Sequence, residues 1–220
     1  MLFDLDGTLV DSVPDLTRCV NAALATARRP AVTQAQVRGW VGNGAARLLH
    51  RALSGRRDGQ VPATEHAAAL AVFNEHYAAE PCRDSRLYPG VAEAVDALRH
   101  DGVLLGLVTN KPSRFVAPLL AMLGLGDAFA CQVGGDSTAR LKPDPLPVRH
   151  ALELLRCRAR DAVLVGDSHI DMNAGRAAGV ATVAVAYGYD PDCDFPALGA
   201  VAVLDCLARL PALWNATVPA

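Results

Sequence analysis

The sequence predicts an α/β fold: a Rossmann-like parallel sheet as core, with an all-helical cap inserted after the first strand. Three observations predict it. From Gly90 onward, compact apolar runs alternate with amphipathic stretches, as in βαβ units whose sheet is covered on both faces. Between Val13 and Cys82 no segment reads as a buried strand, although apolar residues recur at helical spacing. Prolines and polar residues cluster near Asp11–Pro14 and Pro81–Pro89, where the two patterns meet, and such clusters mark breaks. Residues 1–12 and 83–220 therefore read as the core, and residues 13–82 as the helical cap.

Each element follows from its own pattern. Met1–Leu5 (MLFDL) reads as the end of a buried strand whose start is missing. Val13, Leu16, Val20, Leu24 and Ala27 line one face of a first helix, and Gln34–Trp40, Ala45–Leu53 and Ala63–Ala79 supply the next helical stretches. Val103–Val108 (VLLGLV) is apolar throughout, which suits a strand buried on both faces. A helix follows near Ser113–Leu123, a weaker strand around Ala128–Val133 and a helix near Pro145–Cys157. Ala162–Val165 is the next buried strand and His169–Ala178 the next helix. Ala181–Ala186 and the shorter Val201–Leu204 are the last strands, before a terminal helical turn at Leu207–Leu210.

Composition narrows the class. Of 220 residues, 51% are hydrophobic and 20% charged, which suits a globular chain with a sizeable core. A net charge of −2 gives no basic field for nucleic acid or an anionic membrane. No apolar run reaches the ~18 residues that a membrane span needs, and no signal peptide is expected. Six scattered cysteines with no C-x-x-C pair fit reduced thiols in a cytoplasmic protein. The 21 basic residues include only two lysines, Lys111 and Lys142.

Chemistry-bearing residues gather after the strands. Asp4 and Asp6 follow the first, Thr109, Asn110 and Lys111 follow Val103–Val108, and Asp167 follows Ala162–Val165, with Asp171 four residues on. Alone, each has a plain reading: a D-x-D turn, a helix cap, an N-cap. Together they describe one site, because open parallel sheets bind ligands outside the carboxyl ends of their strands. Lys142, in a loop between strands, completes it.

The residue types suit phosphoryl transfer. Asp4, Asp167 and Asp171 are hard oxygen ligands fit for magnesium, and carboxylates brought together call for a cation. Lys142, the Thr109 hydroxyl and nearby amides can hold phosphoryl oxygens. Asp4 is then free to attack phosphorus, and Asp6 can protonate the leaving alcohol and later take a proton from water.

Four segments carry a resemblance. FDLDGTLVDS (Phe3–Ser12), VTNKP (Val108–Pro112), LKPDP (Leu141–Pro145) and GDSHIDMNAG (Gly166–Gly175) resemble, in order, the motifs of the haloacid-dehalogenase-like hydrolases. The resemblance implies Asp4 as nucleophile, Asp6 as acid/base and Lys142 as the lysine that neutralises phosphate. It implies Mg2+ held by Asp4, the Asp6 backbone carbonyl and Asp167, with Asp171 close behind. Thr109 and Asn110 belong to the same phosphate-binding set, and the helical insert is similar to a mobile cap.

Within that family, Asp11–Leu24, Trp40–Leu53 and the Tyr187-Gly188-Tyr189 run resemble the phosphoglycolate phosphatases. The expected substrate is a small phosphate monoester, 2-phosphoglycolate first, with sugar phosphates, nucleotides or pyrophosphate as the alternatives. Gly42, Asn43 and Gly44 of the V-G-N-G turn are expected to face the site. Arg47, near a predicted helix start, is the expected reader of the substrate carboxylate, with Arg18 or Arg51 as alternatives. Lys111 fits either a solvated loop or the site, and His169 either the site border or a helix start. A dehalogenase would lack the second aspartate that Asp6 supplies, and a phosphonate hydrolase needs a cap lysine that residues 13–82 do not contain. A mutase relative places a histidine where Leu16 stands. A receiver-like phosphoacceptor module would lack the helical cap. The assembly expected is a monomer or homodimer.

Overall fold

A computed structural model describes residues 1–217. The chain opens with β1 (Leu2–Phe3) and β2 (Val10–Asp11), then enters helices α1 (Val13–Thr26), α2 (Gln34–Arg38), α3 (Gly44–Ser54) and α4 (Ala63–Ala79). It returns through β3 (Arg86–Leu87), α5 (Val91–His100), β4 (Gly106–Val108), α6 (Ser113–Met122) and β5 (Cys131–Val133). After α7 (Leu146–Leu155) come β6 (Val163–Gly166), α8 (His169–Ala178), β7 (Ala181–Val185), β8 (Ala202–Leu204) and α9 (Leu210–Thr217).

Six strands form one parallel sheet in the order β5-β4-β1-β6-β7-β8. This is the Rossmann-like core expected. Side-chain alternation gives the sheet two faces. Phe3, Leu107 and Val165 enter one buried cluster with Val95 and Leu119. Their neighbours Leu2, Val108 and Leu164 enter another, with Val148 and Ala174. Helices cover both faces, so every position in the central strands is apolar and no polar alternation survives.

The central strand fixes where the site forms. Phe3 pairs with Leu107 on one side and Val165 on the other. The next residue of each strand is therefore Asp4, Val108 or Gly166, and the polar residues follow immediately. The chain leaves β1 toward β4 on one side and reaches β6 on the other, so Asp4 stands at the switch point where such sheets bind ligands.

Helices α1–α4 build a cluster of their own. Leu16, Val20, Leu24, Leu49, Phe73 and Tyr77 bury against one another, and Phe115 from α6 joins them. The expected α1 stripe holds: Val13, Leu16, Val20 and Leu24 are buried, while Ala27 caps the helix. Thr33 and Gln36 close a reciprocal capping box at α2, which satisfies two otherwise orphaned backbone donors.

Four features differ from the sequence pattern. The strand expected at Val103–Val108 pairs only from Gly106, because the Val103 amide closes α5 through Leu98 and pairing starts where β1 starts. Leu104, left outside, is 58% exposed. The antiparallel ribbon of β2 and β3, where the helices leave and return, is two residues long on each side, too short for any periodicity. The terminal turn at Leu207–Arg209 runs on into α9, and α5 is additional.

Candidate active site

The loop after β1 is shaped by contacts across the sheet. Gly7 holds φ +92°, and a Cβ there would lie 2.2 Å from an Asp167 carboxylate oxygen. Only glycine meets both demands, the left-handed backbone and the close approach. The turn leaves Asp4 and Asp6 with side chains 13% exposed, so both reach the cavity.

Lys142 ties the site together. Its ammonium donates to the Val108 carbonyl (2.6 Å) and Asp171 Oδ1 (2.7 Å), and lies 2.9 Å from Asp4 Oδ1. Three donors thus meet three acceptors. Burial works against its charge, but Asp171 and then Asp4 outweigh it, holding its pKa above the ordinary lysine value. Asn110 fixes the Lys142 backbone from both sides, accepting its N–H at 2.9 Å and donating to its carbonyl at 2.9 Å. The Thr109 hydroxyl accepts the Lys111 amide at 3.2 Å. The Lys142–Pro143 peptide bond is cis.

Asp167 and Asp171 sit at the start of α8. The Asp167 oxygens accept from the Thr8 hydroxyl (3.2 Å) and the Tyr189 amide (2.7 Å). Asp171 Oδ2 accepts from the Ser168 amide and hydroxyl, closing a capping box while its other oxygen takes Lys142. Oxygens of Asp4, Asp167 and Asp171 all lie within 4.8 Å of one another. Burial raises the pKa of Asp4 to about 6, against the pull of Lys142. Burial, then Asp171 and Asp4, raises Asp167 well above the ordinary carboxylate value. Four carboxylates (Asp4, Asp6, Asp167, Asp171) against two ammonium groups leave two negative charges in excess, the charge of one divalent cation. The donors are all hard oxygens, so this set fits magnesium.

Lys111, which the sequence left open, belongs to the site. Its ammonium lies 3.0 and 3.2 Å from the two Asp6 oxygens and 4.6 Å from the centre of the Tyr77 ring. Burial opposes its charge, yet Asp6 outweighs that and raises its pKa. One lysine therefore holds Asp4 and the other holds Asp6.

The helical insert closes over this floor. The Asn110 amide also donates to the Gly42 carbonyl at 2.8 Å, joining the V-G-N-G turn to the sheet. Gly42 and Gly44 both have positive φ (+119° and +79°), and Gly42, Asn43 and Gly44 line the cavity with Tyr77. Asn43 also accepts from Arg51 at 2.8 Å.

Arg47 departs from expectation. Its guanidinium donates to the carbonyls of Gly59 (3.1 Å) and Arg57 (3.4 Å), and it is not among the residues lining the cavity. The α3–α4 loop turns the Gly59 and Arg57 carbonyls toward α3, and a five-donor fork is drawn to them. The alternatives are engaged too: Arg51 holds Trp40, Asn43 and Arg57, and Arg18 holds Asp15 and Glu80. Arg57 is the arginine that lines the cavity. His169 opens α8, bound to Asp190 at 2.6 Å. Thr8 stands in the first motif without an expected role, and Tyr77 gave no sequence signal. Tyr189 did, through the Y-G-Y run, and its hydroxyl reaches Asp11 at 2.9 Å beside the insert's exit.

A parallel sheet with carboxylates and lysines gathered at one end, under a helical insert, defines a Rossmann-like α/β protein with an acidic, lysine-bearing site at its switch point. A profile of the haloacid dehalogenase-like hydrolases matches residues 1–185; the chain belongs to that family. It is 44% identical over 213 residues to a phosphoglycolate phosphatase (plasmid) of Cupriavidus necator, covering 97% of this chain and 91% of that one. It is 46% identical over 192 residues to phosphoglycolate phosphatase 1 of Pseudomonas aeruginosa, covering 86% and 70%. A crystal structure described as a predicted phosphoglycolate phosphatase from Haemophilus somnus matches with TM-score 0.90 at 33% identity, covering 97% and 96%.

Proposed function

We propose that the protein is a magnesium-dependent phosphatase that hydrolyses 2-phosphoglycolate through a phosphoaspartyl intermediate on Asp4. The observation that carries this reading is Asp4 held among Lys142, Asp167 and Asp171, with Asp6 beside it on its own lysine. The choice of ester is supported by the relatives' printed activities and by the cavity under the V-G-N-G turn.

In the first step an Asp4 oxygen attacks phosphorus and the ester P–O bond breaks, while Asp6 gives its proton to the leaving glycolate oxygen. In the second, Asp6 takes a proton from water as that water attacks the phosphoaspartate, freeing phosphate and Asp4. The Thr109 hydroxyl is free to donate to a phosphoryl oxygen. Lys142, by turning its Asp4 donor onto the group that Asp4 attacks, offsets the charge that spreads in the transition state. A divalent cation held by Asp4, Asp167 and the Asp6 carbonyl, with Asp171 behind, would neutralise further charge on those oxygens. Residues 13–82 act as the cap, and residues 1–12 and 83–217 as the core, the last three residues of the expected core lying outside the described residues. Among the described residues no helix is long and apolar enough to cross a membrane; a cytoplasmic place suits the free cysteines.

Two outcomes test the chemistry. Asp6→Asn is expected to slow turnover by roughly 10²–10⁴-fold, the usual cost of losing general acid–base catalysis; steady-state kinetics with the Asp4 phosphoenzyme measured in parallel checks it. Unchanged turnover would remove Asp6 from the mechanism. Chelation should abolish activity, magnesium should restore it, and calcium should restore little, since calcium prefers more ligands at longer distances.

The metal should also be visible in stability. With burial holding the Asp4 pKa at about 6 instead of 3.8, the cation-free folded state binds that proton more tightly than the unfolded chain. Its stability therefore falls as pH rises between those values, and a bound cation removes the penalty. Magnesium should raise Tm more near pH 7.5 than near pH 5. Equal shifts at both, by calorimetry, would place the cation elsewhere. The substrate itself is tested by ranking kcat/KM for 2-phosphoglycolate against sugar phosphates, a nucleotide and pyrophosphate.

A further inference from the structure

In 2-phosphoglycolate the carboxylate is one carbon away from the ester oxygen. Asp6 protonates that oxygen, so whatever reads the carboxylate must stand beside Asp6 on the cap side. Arg47 does not stand there, because its guanidinium is turned into the α3–α4 loop.

Two other groups do. The Lys111 ammonium, 4% exposed, touches both Asp6 oxygens. Tyr77 of α4 lines the same cavity and is 1% exposed. Its hydroxyl makes no well-aligned hydrogen bond among the described residues, although the Lys111 ammonium lies close enough to act on it, and a buried hydroxyl so poorly satisfied is costly. Burial pushes the phenol up to about 12, so it remains a donor at neutral pH. Its ring stacks edge-on against Phe115 at 4.9 Å and lies near Phe73 at 5.8 Å, which holds it in place. A lysine has three donors, and Asp6 does not exhaust them.

We infer that Lys111 and Tyr77 together read the second anionic group of the substrate, the carboxylate of a short phosphate ester. Lys111 supplies the charge and Tyr77 a fixed neutral donor. One group comes from the loop after β4 and the other from the helical insert, so the pair is complete only while the insert rests on the sheet. This rests on the phosphoglycolate reading and deepens it: a substrate bearing that carboxylate helps close its own site. It also gives a role to the Tyr77 hydroxyl, which phosphoryl transfer leaves unused, and a second one to Lys111, which already holds Asp6.

The test compares 2-phosphoglycolate with 2-hydroxyethyl phosphate, which carries an alcohol in place of the carboxylate. The ratio of their kcat/KM values is measured for the unaltered protein, Lys111→Met, Lys111→Arg and Tyr77→Phe, with magnesium. The unaltered protein should favour phosphoglycolate. Lys111→Met should shrink that ratio roughly ten- to 150-fold, as expected for losing a hydrogen bond to a charged group. Lys111→Arg should keep more of the ratio than Lys111→Met, and Tyr77→Phe should lower it by a smaller factor. Should Lys111→Met fail to fold, Tyr77→Phe decides, since only a missing hydroxyl separates it from the unaltered protein. A ratio that survives in the soluble variants, with both substrates slowed equally, would overturn the inference and leave Lys111 as a positioning residue for Asp6. An unaltered protein with no preference between the two esters would instead overturn the phosphoglycolate reading itself.

Discussion

Replacing Asp4 by asparagine is expected to abolish turnover. The amide keeps the size and the contact with Lys142, but it is a poor nucleophile and cannot form an acyl phosphate. Loss of a covalent nucleophile elsewhere costs on the order of 10⁶-fold in kcat, and a similar fall is expected here. The fold should survive. Asp4 carries a pKa raised to about 6 by burial, so its charge is a burden on the cation-free protein, and a neutral amide relieves it. Asp4→Asn should therefore melt at or above the Tm of the unaltered protein when both are free of metal. Inactivity with an intact or raised Tm separates a chemical role from a structural one. Comparable turnover in Asp4→Asn would mean that phosphorus is attacked by another group.

Replacing Lys142 by methionine is expected to damage both activity and stability. Its ammonium meets the Val108 carbonyl, Asp171 and Asp4 within 2.9 Å and is 2% exposed. Removing one partner of a buried ion pair leaves an uncompensated charge and costs about 3–5 kcal/mol. For a chain of this size that corresponds to a fall in Tm of very roughly 6–20 °C. Arginine should not rescue it, since a planar fork cannot point three donors from one atom at three acceptors. Adding Asp171→Asn to Lys142→Met should recover part of the stability and none of the activity. Such a pattern, read by thermal melting and kinetics on four proteins, is the signature of coupling between contacting charges. Additive losses would show that Lys142 does not compensate Asp171.

The sheet was legible because its strands are buried on both faces and read as apolar runs. Most of the site was legible for the same reason: polar residues directly after such runs stand at the sheet's ligand-binding end. Asp4, Thr109, Asn110 and Asp167 could be gathered that way without knowing a single contact. What sequence could not supply was direction. Periodicity placed Arg47 near a helix start, and α3 does begin at Gly44, but its guanidinium follows the carbonyls of a loop with no period. Lys111 was ambiguous because its partner Asp6 lies 105 positions away, and nothing local marks a lysine as buried. Tyr77 sits among alanines and looks like packing; only the poorly satisfied hydroxyl distinguishes it. The lengths of β2, β3 and β4 are set by their neighbours, and so they lay outside reach of any single segment.

The central claim is that the phosphoryl group passes through Asp4. It is tested most directly by stopping the unaltered protein during turnover of 2-phosphoglycolate with magnesium and treating it with borohydride. Hydride reduces an acyl phosphate to the alcohol, so a phosphorylated aspartate becomes homoserine, and peptide mass spectrometry locates it. Homoserine at position 4 is the expected result, dependent on substrate and lost in Asp4→Asn. Steady turnover with no modified residue, or with homoserine at Asp6, Asp167 or Asp171 instead, would contradict the account.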